Sequence, residues 1–352
     1  MDIAPMRRTL LFLAKAATSI LLLYFSLRWV NFGALTERLG RLESGWIALA
    51  LLLLMIQVAL LAARWREIAV ACGTNLAFGA ALQFSFIATF FNQVLPSTIG
   101  GDGARIWFLA RKGAGWAIAT YSVLIDRIVG VFVLALIVIA CLPWTFELIH
   151  DPIARAVLLM IGCGAVVGTS IFLLIGTYFR QSLDRWPLAR HLSAASRVAA
   201  SLCGSRRASS VIFACSVAIH LLTIAAAWCC IKAIAAPVSF AQVLILLPPV
   251  LLISTIPISI AGWGVRESSM IAAFAYAGLA ESDGLTLSIL FGATIFVVGL
   301  AGGIVWIVSG LRIGPIAQVG DAEAIADSHY IASQAFEQMT DPQKSRRDDS
   351  LQ

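Results

Sequence analysis

Pro96-Ser97-Thr98-Ile99-Gly100-Gly101-Asp102-Gly103-Ala104-Arg105 and Pro257-Ile258-Ser259-Ile260-Ala261-Gly262-Trp263-Gly264-Val265-Arg266 are two copies of one pattern, P-x-[ST]-I-[GA]-G-x-G-x-R. Each copy is embedded in apolar sequence. A proline removes a backbone donor and favours a break in a helix. Glycines permit positive φ and close backbone approach. Pro96, Gly100, Gly101 and Gly103 in the first copy, and Pro257, Gly262 and Gly264 in the second, therefore predict a turn between two half-helices. A repeated helix break with an arginine at membrane depth is the sequence pattern of a transporter site.

The surrounding sequence places these breaks in a bilayer. The chain is 60% hydrophobic and 12% charged, outside the range of soluble globular domains. Apolar runs near 20 residues, each long enough for a hydrocarbon core of about 30 Å, recur along it. These runs are continuous, whereas a membrane β-barrel needs alternating segments of roughly 10 residues. The expected fold class is an all-α polytopic membrane protein. The net charge of +6 reflects arginines in loops, the positive-inside bias, and not a nucleic-acid partner. The seven cysteines form no C-x-x-C pair, and no histidine cluster has metal spacing. No metal site, disulfide framework or cofactor is expected.

Spans are expected at 9–27, 46–63, 116–142, 156–179, 211–231 and 285–311. The first is an uncleaved helix behind Arg7 and Arg8; the second is closed by Arg64-Trp65-Arg66. Hairpins built on the two motifs occupy about 78–110 and 243–280. That makes six full spans plus two hairpins. The basic segments are the N-terminus, Arg64/Arg66, Arg111/Lys112 and 180–207; the loops at Glu147/Asp151 and Glu281/Asp283 are acid-leaning. If each hairpin returns to its own face, nearly all basic segments fall on the cytoplasmic side. The short loop with Arg28, Arg38 and Arg41 is the exception. Residues 1–142 then form one membrane repeat. Residues 143–311 form a second, inverted repeat with a basic cytoplasmic loop at 180–210. Residues 312–352 are a polar, flexible cytoplasmic tail. The location expected is a bacterial-type inner membrane, with both termini cytoplasmic.

Charges inside spans cost about 2.5–3.5 kcal/mol each at a helix centre. Those here are Asp102, Arg105, Asp126, Arg127, Arg266 and Glu267. Amides at the start of a half-helix attract an anion, and an arginine reinforces this. Arg105 and Arg266 are therefore candidate head-group ligands from opposite sides. The competing reading pairs them structurally with Asp102 and Glu267. Asp126 and Arg127 point in different directions on their helix, so Asp126 is expected to pair with Arg105 while Arg127 faces a cavity. An inter-helix lock is the alternative. Asn92 and Gln93, one turn before Pro96, either line that cavity or satisfy carbonyls freed by the break. His220 reads as a hydrogen-bonded packing residue. Gly101-Asp102-Gly103 lacks the strand and Lys-Ser/Thr of a phosphate-binding loop.

At Ala63-Arg64-Trp65, Asn92 through Arg105, Asp126-Arg127 with Gly130, and Pro257 through Glu267, the chain resembles a flippase-like family. That family is named after the transmembrane region of lysylphosphatidylglycerol synthase. The resemblance covers roughly residues 10–311. Asp102 stands where the family often has Glu. The resemblance implies lipid translocation between leaflets. In full-length synthases a cytoplasmic acyltransferase-like domain loads amino acids onto lipid. The tail is too short for it, so aminoacylation is not expected. Similar stand-alone members include proteins linked to hopanoid and glycolipid pathways.

The function these readings support is a flippase or scramblase for an anionic phospholipid or a lipid-linked glycan or isoprenoid head group. Its partners would be the lipid and lipid-synthesis enzymes. An intramembrane lipid-modifying transferase using Asp102, Asp126 or Glu267 is the alternative, although no D-x-D or D-D pair lies in the membrane region. A non-catalytic accessory that recruits enzymes through the basic loop is a third reading.

Overall fold

A computed structural model describes residues 42–94, 100–178, 187–256 and 264–311. The expected first span, Pro96, Pro257, Gly262, Trp263 and the tail lie outside the described residues. The described residues form ten α-helices, α1 Ser44–Ala71, α2 Phe78–Val94, α3 Gly100–Leu109, α4 Trp116–Leu148, α5 Pro152–Tyr178, α6 Pro187–Gly204, α7 Arg206–Ala233, α8 Phe240–Ser254, α9 Val265–Tyr276 and α10 Glu281–Ser309. A single π-helical turn, Ala110–Ala114, joins α3 to α4.

Five of these helices, α1, α4, α5, α7 and α10, are long and apolar enough to cross a membrane. Their outward faces carry large apolar side chains that water would penalise, such as Met160 on α5 and Ile307 and Val308 on α10. A contiguous apolar surface of this kind marks contact with lipid.

Helices in lipid gain little from hydrophobicity against each other, so they meet where small residues allow close packing. α7 presents Ala226, Ala227, Cys230 and Ala233 to a core shared with Ala50, Leu54 and Val58 of α1. On α10, a Cβ at Gly302 would fall 1.9 Å from the Phe86 carbonyl oxygen of α2, so only glycine lets these helices touch. The packing has a regular pairing. α2 lies on α10 and α8 lies on α4; α3 contacts α4 and α9 contacts α10; α1 contacts α7. Two halves related by a two-fold would make these pairs.

The structure corrects the sequence reading in two places. The segment 180–210, expected as a basic loop, contains α6. Ala195, Ala199 and Leu202 recur at helical spacing and pack with Phe172 of α5, Ile125 of α4 and Ile68 of α1. Ser196 Oγ extends this attachment by donating to the Leu173 carbonyl of α5, while Arg197 bonds Ser193 Oγ within α6 itself. The second correction is that Arg64 does not close a span at the water. α1 continues to Ala71 and Arg64 is 4% exposed. Its neighbours Trp65, Ile68 and Ala69 are buried on the same side of α1, while Arg66 and Glu67 pair with each other on a more exposed face.

Candidate functional site

The first motif builds the site around a glycine. A Cβ at Gly101 would lie 2.1 Å from the Ala88 carbonyl oxygen and 2.7 Å from the Asn92 side chain. Its absence lets the start of α3 rest against α2. There the Gly101 N–H donates to Asn92 Oδ1 at 3.0 Å, which satisfies one of the backbone donors that a helix start leaves open.

Asp102 follows in the first turn of α3, where the helix dipole favours a carboxylate. Arg105, three residues on, shares its face and donates from Nη2 to Asp102 Oδ1 at 2.6 Å. From α4, Arg127 donates to the same carboxylate through Nε at 2.7 Å and Nη2 at 3.0 Å. Asp126, turned away from Arg127, accepts from Arg105 Nη1 at 2.9 Å and from Arg64 Nε at 2.8 Å. Arg64 also donates to Ser216 Oγ on α7 at 3.2 Å. The result is an alternating chain, Arg64–Asp126–Arg105–Asp102–Arg127, that ties α1, α3 and α4 together.

Asp126 lies about 15 Å along α4 from Trp116, and Arg64 about 10 Å back from the end of α1, at 1.5 Å per residue. Ions so far into apolar helices persist only when paired and hydrogen-bonded. Four of the five are buried, whereas the Arg127 side chain is 46% exposed. The described members sum to one positive charge in excess. Around them, Trp65 lies 5.2 Å from the Arg105 guanidinium and donates to Ser122 Oγ. A Cβ at Gly130 would come 3.3 Å from Arg64 Nη1, and the Gly130 carbonyl accepts from His220 Nε2 at 3.0 Å. His220 is thus a packing residue bonded to backbone.

A cavity of about 230 Å³ opens beside this chain of charges. Arg64, Arg105, Asp126 and Arg127 line one side, and Ser85, Thr89, Asn92 and Gln93 of α2 line another. Ser85 Oγ is fully buried and has no hydrogen-bond partner among the described residues. Asp102 is bonded to the lining arginines.

Arg266 and Glu267 do not line that cavity. The Gly264 N–H, at φ 85°, donates to Glu267 Oε2 at 2.6 Å. Arg266 donates from Nη2 to Glu267 Oε1 at 2.8 Å and from Nε to Ser288 Oγ at 3.0 Å. Ser288 Oγ donates to Glu267 Oε1 as well. All three side chains are buried. The structure therefore joins Asn92, Asp102, Arg105, Asp126 and Arg127 at one cavity and places Arg266 with Glu267 in a separate cluster at the start of α9.

Arg64, Ser85 and Thr89 are among the lining residues that sequence reasoning did not assign to the site. Arg64 was hidden by its neighbour Arg66, which made the pair look like the end of a span. Ser85, Thr89 and Asn92 fall four and three residues apart, one face of a helix, and that spacing was the available signal.

Residues 12–303 match the family described as "Lysylphosphatidylglycerol synthase TM region". The chain is also 26% identical over 178 residues to UPF0104 membrane protein PH1989 of Pyrococcus horikoshii, across 49% of this chain and 50% of that protein. The chain thus spans about half the length of this curated relative.

Proposed function

The chain belongs to the lysylphosphatidylglycerol synthase transmembrane-region family, and from that premise we propose that it is a flippase or scramblase. Its cargo is an anionic phospholipid or the phosphate-bearing head group of a lipid-linked glycan or isoprenoid, moved across a bacterial-type inner membrane. Residues 1–142 and 143–311 act as inverted halves, with both termini cytoplasmic. The symmetric pairing of α2 with α10 and α8 with α4 supports this layout.

The observation that carries the reading is the cavity. It combines a half-exposed arginine, a buried hydroxyl with no partner among the described residues and an amide side chain within apolar helices. Arg127 and Arg105 attract the phosphoryl oxygens, Ser85 donates a hydrogen bond, and Asn92 orients the group. A volume of about 230 Å³ equals the share of roughly eight waters, enough for a phosphoryl group with a small substituent. Longer glycans would extend beyond it. Transport fits these residues better than catalysis. Asp102 and Asp126 each accept from two arginines, so both carboxylates are already committed to contacts within the protein.

The test reconstitutes the purified chain in vesicles containing a leaflet-labelled anionic phospholipid. Arg127→Gln removes a charge-assisted contact worth about 1.5–3 kcal/mol, so translocation at limiting lipid should fall about tenfold or more. If no candidate lipid moves and a new lipid product appears, the protein is a transferase and this reading fails. Normal transport by both Arg105→Ala and Arg127→Gln would remove these residues from the head-group role.

A further inference from the structure

A second cavity, about 270 Å³, lies against the same hairpin and is lined by Gln83 and Phe84 of α2, Trp107 and Phe108 of α3, Arg111, Lys112 and Leu311. It uses a different face of each helix. Phe84 and Ser85 are adjacent and therefore point in different directions; one lines this pocket and the other the central cavity. Arg105 and Trp107 divide in the same way. The α2–α3 pair thus forms a wall between two cavities.

The walls of this pocket are apolar and firmly held. Phe84 and Phe108 stack with centroids 5.0 Å apart. Trp107 meets Trp116 edge-on at 5.4 Å. Trp306 Nε1 donates to the Leu311 carbonyl at 2.7 Å, which secures the end of α10 at the rim.

The mouth, in contrast, is cationic. Arg111 and Lys112 are exposed. They sit on the π-helical turn, where Gly113 at φ 97° ends regular helix. Irregular turns of this type recur at functional sites. The Arg111 guanidinium lies 5.4 Å from the Trp107 ring centroid and Lys112 Nζ 5.6 Å from that of Phe84. Both charges are thereby drawn over the aromatic floor. Among the described residues no carboxylate lines the pocket, unlike the central cavity, where aspartates accompany the arginines.

We propose that this pocket is a docking site for an anionic glycerophospholipid. Its phosphate would lie between Arg111 and Lys112, with the first methylenes of its chains on Phe84, Trp107 and Phe108. Two cations at the edge of an apolar, aromatic floor complement an amphiphile with a charged end and a greasy body. A volume equal to the share of roughly nine waters accepts a phosphate and its glycerol. A lipid bound there bears on Phe84 and Trp107, and so sets the position of the wall that carries Ser85 and Arg105. This inference does not depend on the transport reading, because occupancy of the pocket is measured without any translocation.

The experiment places the full chain in vesicles of zwitterionic phospholipid doped with a brominated anionic phospholipid, and follows quenching of tryptophan fluorescence. The quenching assigned to the pocket is the part lost in Trp107→Phe. Each basic residue near an anionic surface contributes about 1 kcal/mol, so Arg111→Gln with Lys112→Gln should weaken the preference for anionic lipid about 25-fold. Arg111→Lys with Lys112→Arg should retain it, which separates loss of charge from loss of fold. Equal quenching by brominated zwitterionic lipid, with no response to the glutamine pair, would overturn the proposal, since Trp107 would then merely sense the bilayer. Displacement of the lipid by soluble glycerol phosphate at equal concentration would also overturn it, because the site would then recognise a free anion.

Discussion

Asp126→Asn is the most informative single substitution, because Asp126 is the only described carboxylate that bonds both Arg64 and Arg105. Its side chain and both guanidinium groups are almost fully buried. Two unit charges about 4 Å apart attract by about 4 kcal/mol at an effective dielectric of 20, so the asparagine forfeits roughly twice that in gross attraction. The carboxylate's own desolvation cost, several kcal/mol, is recovered at the same time. Breaking a buried pair by neutralising one partner costs a net 3–5 kcal/mol. In detergent or nanodisc, thermal unfolding should therefore shift down by about 4–7 °C, at an unfolding entropy of about 2.1 cal/mol/K per residue. Arg64→Gln should cost less, because Asp126 keeps its bond to Arg105. The double variant Arg64→Gln with Asp126→Asn should lose less than the sum of the two by about 1–3 kcal/mol. A melting temperature for Asp126→Asn within about 1 °C of the wild type, or strict additivity of the pair, would refute the claim that these charges hold α1, α3 and α4 together.

Ser85→Ala removes a buried hydroxyl with no described partner. It should leave the protein as stable or more stable by about 1 kcal/mol, while lipid-phosphate binding in the reconstituted assay weakens about tenfold. Gly101→Ala places a methyl against the Ala88 carbonyl and should cost about 1–3 kcal/mol. Gly103→Ala meets nothing within 4 Å and should stabilise α3 by about 0.5–1 kcal/mol; paired melting curves of the two variants check both. Arg266→Gln leaves Glu267 buried without its cation. It should lower the melting temperature markedly and leave the lipid selectivity of transport unchanged. Altered selectivity at unchanged stability would instead place Arg266 among the head-group ligands.

Much of the fold is legible in the sequence because lipid imposes simple rules. Helix length and hydropathy mark α1, α4, α5, α7 and α10, and the twin motifs mark α3 and α9. The Asp126–Arg105 and Asp102–Arg105 pairs follow from the cost of burying unpaired charge. Other features depend on neighbours that only folding supplies. Arg64 reads as a boundary until α4 brings Asp126 against it. The segment 180–210 reads as a basic loop because its charges mask the Ala195, Ala199 and Leu202 stripe. The two motif arginines look equivalent in one dimension. Their difference arises from where the acid stands. Asp102 precedes Arg105 by one helical turn and shares it with Arg127, while Glu267 directly follows Arg266 and folds back onto the Gly264 amide.

The close contact of Gly302 with the Phe86 carbonyl has a consequence for biogenesis. The relay from Arg64 to Arg127 is complete once the first third of the chain has left the ribosome, so the costliest charges in the membrane can be neutralised early. The seat for α2 on α10 is not. Roughly two hundred residues separate Phe86 from Gly302, and at about 5–20 residues per second their synthesis takes on the order of 10–40 s. During that interval the face of α2 destined for α10 must be covered by lipid or by the insertion machinery. Substitutions at Gly299, Gly302 or Gly303 should therefore reduce the yield of inserted protein and expose the chain to quality-control proteolysis before any effect on the finished protein is measurable.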